Sequence, residues 1–437
     1  MPGTVAIETH GCKLNQADSA VLARQFAQAG YRLVDANADA DIIIVNTCTV
    51  TATADAKARH ALRAARRANP DALVVAAGCY PQRAAEELRR MAEVSLVVGN
   101  QEKPELAGLA ITELTRRNGK RTLSPLPQPI EGESSSAGIL RRSRAMVKIQ
   151  EGCDQVCAYC IVPKVRGRER SIPADELVAA INRHVADGFK EAALTGTQLG
   201  TYGFDLDNLD LTRLLARILA ETDLPRLRVS SLQAHEISPG LLELWHDPRL
   251  CPHFHVPLQS GCDTTLRAMR RRYDCDTYRR AVSLIRDRVP NAAITADVIV
   301  GFPGEDAGAH GASLALVAEM RFADVHVFPY SQRPGTTANY LSSQVDAAEK
   351  RRRATEMSAV AEEGFADYRN RLAGQTRPVL WETNRPASNG AAMRWSGLTD
   401  NYVRVAAETS LDLANRITPA RLIRPEGKAM LATLDAE

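Results

Sequence analysis

Short apolar runs alternate with longer amphipathic stretches along most of the chain. In the first hundred residues the runs Val5–Glu8, Asp41–Asn46, Ala72–Ala77 and Val94–Val98 read as strands. Helix-like segments lie between them. One is Ser19–Ala29, with Asp18 or Ser19 as a plausible N-cap and Gly30 beyond its end. Strand–helix–strand repetition predicts a parallel sheet with helices on its faces. The expected unit is an N-terminal parallel α/β domain over residues 1–122.

Residues 123–137, rich in Pro, Gly and Ser with little periodicity, read as a linker, and the expected joint covers 123–143. The strand–helix alternation then resumes. Strand-like runs fall at Ala145–Gln150, Ala192–Thr195, Leu227–Ser231, Phe254–Leu258, Ile294–Val300 and Val325–Pro329. Amphipathic stretches separate them, among them Ala174–Asp187, Leu209–Glu221 and Asp276–Arg288. This pattern over 144–371 gives about six β/α units, fewer than the eight of a closed barrel. Beyond about Leu372 the helical period fades. Pro378–Glu382 and Tyr402–Ala406 look like short strands between polar turns, so residues 372–437 read as a small β-barrel.

The candidate chemistry is carried by cysteine. Cys153, Cys157 and Cys160 form a C-x3-C-x2-C triplet directly after an expected strand, with no fourth cysteine nearby. Three thiolates can hold three irons of a [4Fe-4S] cluster, and the fourth iron is left open, as suits catalysis. A zinc knuckle or plain buried cysteines are the alternatives. Cys12, Cys48 and Cys79 are isolated in sequence, yet each follows one of the first three expected strands. The carboxyl ends of parallel strands share one edge, so these three are expected to converge on a second cluster. A lone cysteine is otherwise a small buried hydrophobe, and Cys251, Cys262 and Cys275, which lack cluster spacing, read as ordinary thiols.

The bulk numbers change this picture little. The chain of 437 residues suffices for two or three domains, and a formal charge of +3 permits nucleic-acid binding without implying it. No secretory signal is visible at Met1–His10, and no apolar run could span a bilayer. A cytoplasmic protein without a membrane partner is expected, and nine cysteines there favour metal ligation over a disulfide framework.

The triplet spacing resembles the signature of the radical S-adenosylmethionine (SAM) enzymes. Further runs extend the likeness over nearly the whole chain. Thr9-His-Gly-Cys-Lys-Leu-Asn15, Asn46-Thr-Cys48 and Gly78-Cys79 resemble the N-terminal domain of the methylthiotransferases, and Ile149–Pro163 with Arg166-Gly-Arg-Glu-Arg170 resembles their radical SAM core. The C-terminal segment is similar to a TRAM domain, a small RNA-binding barrel. Gly11–Asn15, Leu194–Thr197, Leu258–Cys262, His326–Tyr330 and Arg333–Thr336 are most similar to the branch acting on threonylcarbamoyladenosine. The sister branches act on isopentenyladenosine in tRNA or on a ribosomal-protein aspartate. Ser230-Ser231-Leu232-Gln233-Ala234 departs from the branch's usual Ser-Ser-Ile-Glu-Pro, which puts a polar contact to SAM there in doubt. Lys164 and Ile172 replace a more usual aromatic and arginine.

The resemblance implies a partial (β/α)6 barrel, two [4Fe-4S] clusters and SAM. The cluster at Cys153, Cys157 and Cys160 would cleave SAM to a 5′-deoxyadenosyl radical. The cluster at Cys12, Cys48 and Cys79 would supply sulfur to C2 of adenosine 37 in the tRNA anticodon loop. A flavodoxin- or ferredoxin-type electron donor is implied as well. Gly196, Gln198, Gln259, Ser260 and Asp297, at or beyond strand ends, are expected to contact SAM or substrate. For Asp297 a structural hydrogen bond is the alternative, and for Gly301–Gly304 a plain turn. Arg270-Arg271-Arg272 beside Tyr273, and Arg141-Arg142 with Arg144, are basic runs that could meet phosphate or lie solvated. The reading from another class is a non-catalytic iron-sulfur protein that binds RNA or senses redox state.

Overall fold

The computed structural model describes residues 3–35, 38–117, 143–387 and 392–434. The first unit comprises β1 (Thr4–Thr9), α1 (Lys13–Gln28), β2 (Arg32–Val34), β3 (Ile42–Thr47), α2 (Ala52–Ala68), β4 (Leu73–Gly78), α3 (Cys79–Arg89), β5 (Leu96–Val98) and α4 (Leu106–Arg117). Its five strands are all parallel, in the order β2-β1-β3-β4-β5. This is a doubly wound order whose switch point lies between β1 and β3, where such sheets bind ligands. Every residue of β3 and β4 is buried, because helices cover both faces of a parallel sheet. That is why these strands read as continuous apolar runs.

The helix expected over Ser19–Ala29 is longer than its pattern implies. Helix α1 begins six residues earlier, at Lys13, and Cys12 occupies its N-cap. Asp18 and Ser19 are interior residues, not caps. Asn15, Asp18 and Ser19 point into the protein, and their polar groups are met by partners from other segments. A helix that buries polar residues shows no apolar stripe over its first turns. Strand β2, only three residues long, carries no sequence signal of its own. The expected linker 123–137 and the pair Arg141-Arg142 lie outside the described residues.

The central unit begins with β6 (Arg144–Lys148), β7 (Gln150–Glu151), α5 (Val162–Arg166), β8 (Arg170–Ser171), α6 (Ala174–Ala186), β9 (Glu191–Thr195), α7 (Leu211–Glu221) and β10 (Arg226–Val229). It continues with α8 (Pro239–Leu242), β11 (His253–His255), α9 (Asp263–Ala268), α10 (Cys275–Arg288), β12 (Ala293–Val300), α11 (Ala307–Met320) and β13 (Asp324–Pro329). Two parallel three-stranded sheets, β10-β9-β6 and β11-β12-β13, meet where Leu232 N–H donates to His255 O at 3.0 Å. The six strands therefore follow the order β6-β9-β10-β11-β12-β13, an open half-barrel with helices outside. One hydrophobic core runs through this unit, from Val147 and Leu194 to Val298 and Tyr278.

Helix α12 (Ala347–Leu372) leads to a closed barrel of β14 (Thr376–Pro386), β15 (Met393–Thr399), β16 (Arg404–Thr409), β17 (Ile417–Glu426) and β18 (Ala429–Thr433), in the order β14-β15-β16-β18-β17. Closure leaves no free strand edge. No described helix is long and apolar enough to cross a membrane.

Buried charges join the units. Asp18 of α1 receives Lys103 Nζ and Lys148 Nζ at 2.8 Å each and Arg166 Nη1 at 3.2 Å. Lys148 and Arg166 belong to the central unit. Arg333 reaches back to Asp55 of α2, which also holds Arg83 at 2.8 Å. Removing one partner from such a cluster strands the others without water, which is costly.

Candidate active site

Cys12, Cys48 and Cys79 each follow the carboxyl end of a neighbouring strand: β1, β3 and β4. Cys48 and Cys79 are buried and Cys12 is exposed. Gly11 and Gly78, which precede two of them, both have φ of +100°, and a Cβ on Gly11 would sit 2.6 Å from Cys48 Cβ. Only glycine permits that turn with the neighbouring thiol so close. Asn100 Nδ2 donates to Cys79 Sγ at 3.3 Å and to Val165 O at 2.7 Å. Val50 N–H donates to Cys48 Sγ at 3.4 Å.

Cys153, Cys157 and Cys160 sit in the loop after β7. Gly152 turns the chain at φ +76°, and a Cβ there would overlap Arg168 O at 1.9 Å. The loop is pinned by Cys153 N–H to Gly167 O (3.2 Å), Ala158 N–H to Met269 O (3.0 Å) and Cys160 N–H to Cys157 O (3.1 Å). Arg271 donates through Nη1 to Cys157 Sγ at 3.3 Å and through Nη2 to Gln233 Oε1 at 2.7 Å.

The two sets meet at one domain interface. Arg166 binds Asn15 and Asp18 on the N-terminal side and Glu151 on the core side, and its charge is felt by Cys12 and Cys79. Burial raises the thiol of Cys48 to about 11, that of Cys153 to about 11 and that of Cys160 to about 12. Such thiols stay neutral unless a bound cation draws the protons off, as a coordinated metal does. Among the described residues no three His, Cys, Asp or Glu side chains gather on a point fit for one metal ion. A [4Fe-4S] cluster sets its thiolates on different irons and takes a wider array than a single zinc does.

Of the other expected residues, Gln198 joins a network with Gln233, Gln155 and Glu236 beside the triplet. Gln233 Nε2 donates to Gln198 Oε1 at 2.7 Å and to Gln155 Oε1 at 3.0 Å, while Gln198 Nε2 donates to the Glu236 carboxylate. Burial pushes Glu236 up to about 7. Where the branch usually has a glutamate, Gln233 thus keeps a polar junction without its charge. Gly196 packs against Gln150, whose Oε1 would be 2.9 Å from an added Cβ. Gln259 has φ +67° and bonds the backbone of Asp297. Asp297 pairs with His255 Nε2 at 3.3 Å. Ser260 is spent on packing, its hydroxyl 3.2 Å from Ser313 Oγ. Gly301 and Gly304, at φ +69° and +84°, make a turn. Cys251, Cys262 and Cys275 belong to neither triad.

Some functional candidates escaped sequence reading. Arg271 sits in a basic run whose outer members, Arg270 and Arg272, are exposed, but it turns inward to the triplet. Arg144 is likewise internal, paired with Glu191 and Glu382. Glu236 carries no motif at all, and Gln155, within the cysteine run, is not singled out there. Inside the half-barrel, Lys13 Nζ lies 3.4 Å from Ser230 Oγ and 5.9 Å from the Tyr402 ring centre. Tyr402, from the C-terminal barrel, stacks on His253 with centroids 4.2 Å apart and lies under Arg228.

Residues 4–99 match the uncharacterized protein family UPF0004, and residues 147–313 match the radical SAM superfamily, which implies SAM and a [4Fe-4S] cluster. The threonylcarbamoyladenosine tRNA methylthiotransferase MtaB of Bacillus subtilis (strain 168) is 32% identical over 96% of this chain and 94% of its own. The tRNA-2-methylthio-N(6)-dimethylallyladenosine synthase of Syntrophobacter fumaroxidans is 33% identical over 97% of this chain and 93% of its own. The radical SAM methyltransferase TsrM of Kitasatospora setae, solved with cobalamin and a [4Fe-4S] cluster, shares the fold with a TM-score of 0.54 over 78% of this chain and 77% of that one, at 16% identity. Two cysteine sets on one interface, two family domains in order and relatives at 32% and 33% along nearly their whole lengths give one conclusion: the chain belongs to the radical SAM methylthiotransferase family of enzymes.

Proposed function

We propose that this protein is a tRNA methylthiotransferase that converts N6-threonylcarbamoyladenosine at position 37 to its 2-methylthio derivative, using SAM and two [4Fe-4S] clusters. The observation that carries this reading is the meeting of two separate cysteine triads at one domain interface, spanned by Arg166. Cys153, Cys157 and Cys160 would hold the cluster that binds SAM, and Cys12, Cys48 and Cys79 the auxiliary cluster. Together these groups supply the one-electron chemistry that an adenine C2–H needs, since it is neither acidic nor joined to a leaving group.

The chain's own residues hold that arrangement in place. Arg271 donates to Cys157 and Asn100 to Cys79, so each thiolate set has a fixed hydrogen-bond donor, and such donors tune a cluster's potential. The Gln198–Gln233–Gln155 junction borders the triplet where a SAM contact is expected. Gly196, Gln259, Ser260 and Asp297 would lie toward SAM or substrate, with Gly196 packed against Gln150 and Asp297 paired with His255. The C-terminal barrel, as a TRAM-like module, and the exposed Arg270 and Arg272 would grip the anticodon stem-loop. A small flavodoxin- or ferredoxin-type protein in the cytoplasm would deliver the electrons.

The choice of branch rests on Gly11-Cys-Lys-Leu-Asn15 and the other branch-like runs, because relatives on two substrates stand at nearly equal identity, 32% and 33%. Nucleoside mass spectrometry of tRNA from cells lacking the gene, with and without its restoration, tests this. The expected result is loss and recovery of 2-methylthio-threonylcarbamoyladenosine, with the unthiolated nucleoside accumulating. Loss of 2-methylthio-isopentenyladenosine instead would overturn the substrate and keep the chemistry.

A further inference from the structure

Lys13 is an unspent charge. It follows Cys12 as the first residue of α1, and its side chain leaves the N-terminal domain for the interior of the half-barrel. Among the described residues its one hydrogen-bond partner is the Ser230 hydroxyl, at a long 3.4 Å, and no carboxylate pairs with it. The carboxylates nearby are already taken. Glu191 is shared by Arg144, Arg226 and Arg228, and Asp297 is paired with His255. A half-buried ammonium in a cation-rich interior is costly unless an anion joins it.

We infer that Lys13, with Ser230 beside it, binds the carboxylate at the end of the N6 threonylcarbamoyl group and so selects this substrate over an adenosine with an apolar N6 substituent. The inference rests on the proposed function and adds the residue that would determine specificity. The chemistry agrees with the placement. On an adenine ring C2 and N6 flank N1 along one edge, so a base offering C2 to the triad of Cys12 brings its N6 substituent alongside the same triad. The residue after Cys12 is then in place for the substituent's charge. An isopentenyl group has no charge to satisfy the lysine, and would leave it desolvated and unpaired.

The test measures binding of two synthetic anticodon stem-loops, one carrying threonylcarbamoyladenosine and one carrying the same nucleoside with its carboxylate replaced by a primary carboxamide. The unaltered holoenzyme is expected to prefer the carboxylate by about tenfold or more, the scale of one charge-assisted hydrogen bond. Lys13→Gln should bind both RNAs equally, and Lys13→Arg should keep part of the preference. Iron content and circular dichroism of each variant check folding and cluster loading. Equal binding of the two RNAs by the unaltered enzyme would overturn the inference, as would a full preference surviving in Lys13→Gln. If Lys13→Gln does not fold, the carboxylate–carboxamide comparison on the unaltered enzyme decides alone. A normal tRNA product without the preference would sink the role of Lys13 only, whereas an isopentenyl product in cells would sink the substrate reading and this inference with it.

Discussion

The two cysteine sets are gathered by opposite routes. Cys153, Cys157 and Cys160 lie within eight consecutive residues, on a loop pinned by its own backbone and by Met269. Cys12, Cys48 and Cys79 are gathered only because β1, β3 and β4 are neighbours in one parallel sheet. The first set is organised by local loop geometry and the second by the fold of a domain. Damage to the sheet should therefore disperse the second set and spare the first. The two also differ in their donors: the triplet has a guanidinium on Cys157, and the dispersed set has a neutral amide on Cys79.

The strongest way to separate them is to remove one thiol from each. Cys157→Ala should lose roughly half the iron and abolish SAM cleavage, while Cys48→Ala should lose a similar share and keep SAM cleavage but yield no methylthiolated nucleoside. Iron analysis, chromatography of SAM products and tRNA nucleoside analysis read these three quantities.

Next in size is the link between the domains. Asp18→Ala leaves Lys103, Lys148 and Arg166 without their shared carboxylate, and should cost about 3–5 kcal/mol in unfolding experiments. The cations around Asp18 hold its carboxyl well below the usual range despite its burial. A depressed carboxylate stabilises fully above its unfolded pKa of about 3.9 and loses that contribution as pH falls toward the folded value. The stability gap between the parent and Asp18→Ala should hold from neutrality to about pH 4 and shrink below it.

A smaller effect is expected at the turns. Gly78→Ala at φ +100° should cost about 1–3 kcal/mol in strain and lower iron loading of the dispersed set, with SAM cleavage unchanged. The smallest is expected at Arg271→Gln. It removes a positive donor from Cys157 and should make the triplet's cluster harder to reduce, read as a more negative midpoint in an EPR-monitored titration.

What the sequence revealed follows the same division. Alternation of apolar runs disclosed the strands because β3 and β4 are buried on both faces. The C-x3-C-x2-C spacing then disclosed one cysteine set, and the position of Cys12, Cys48 and Cys79 after successive strands disclosed the other. The start of α1 was hidden because Asn15, Asp18 and Ser19 face inward to polar partners, which no periodicity marks. Arg271 was hidden inside a run of arginines, of which only the structure shows one turned to the triplet. Arg228 and Glu191, wholly buried and paired with each other, went unmarked for the same reason. Apolar patterning reports what leaves water, and it cannot report charges that leave water in company.

One contact bears on how separable the three parts are. Tyr402 of the C-terminal barrel lies against His253, and Arg228 of β10 donates to the backbone carbonyls of Asp400 and Thr399. The barrel thus packs directly on the central unit at His253 and Arg228. Severing the chain after Leu372 would uncover His253 and leave Arg228 with Glu191 alone. A shortened chain would then be destabilised at β10 itself, and its defect would not be confined to whatever the barrel binds.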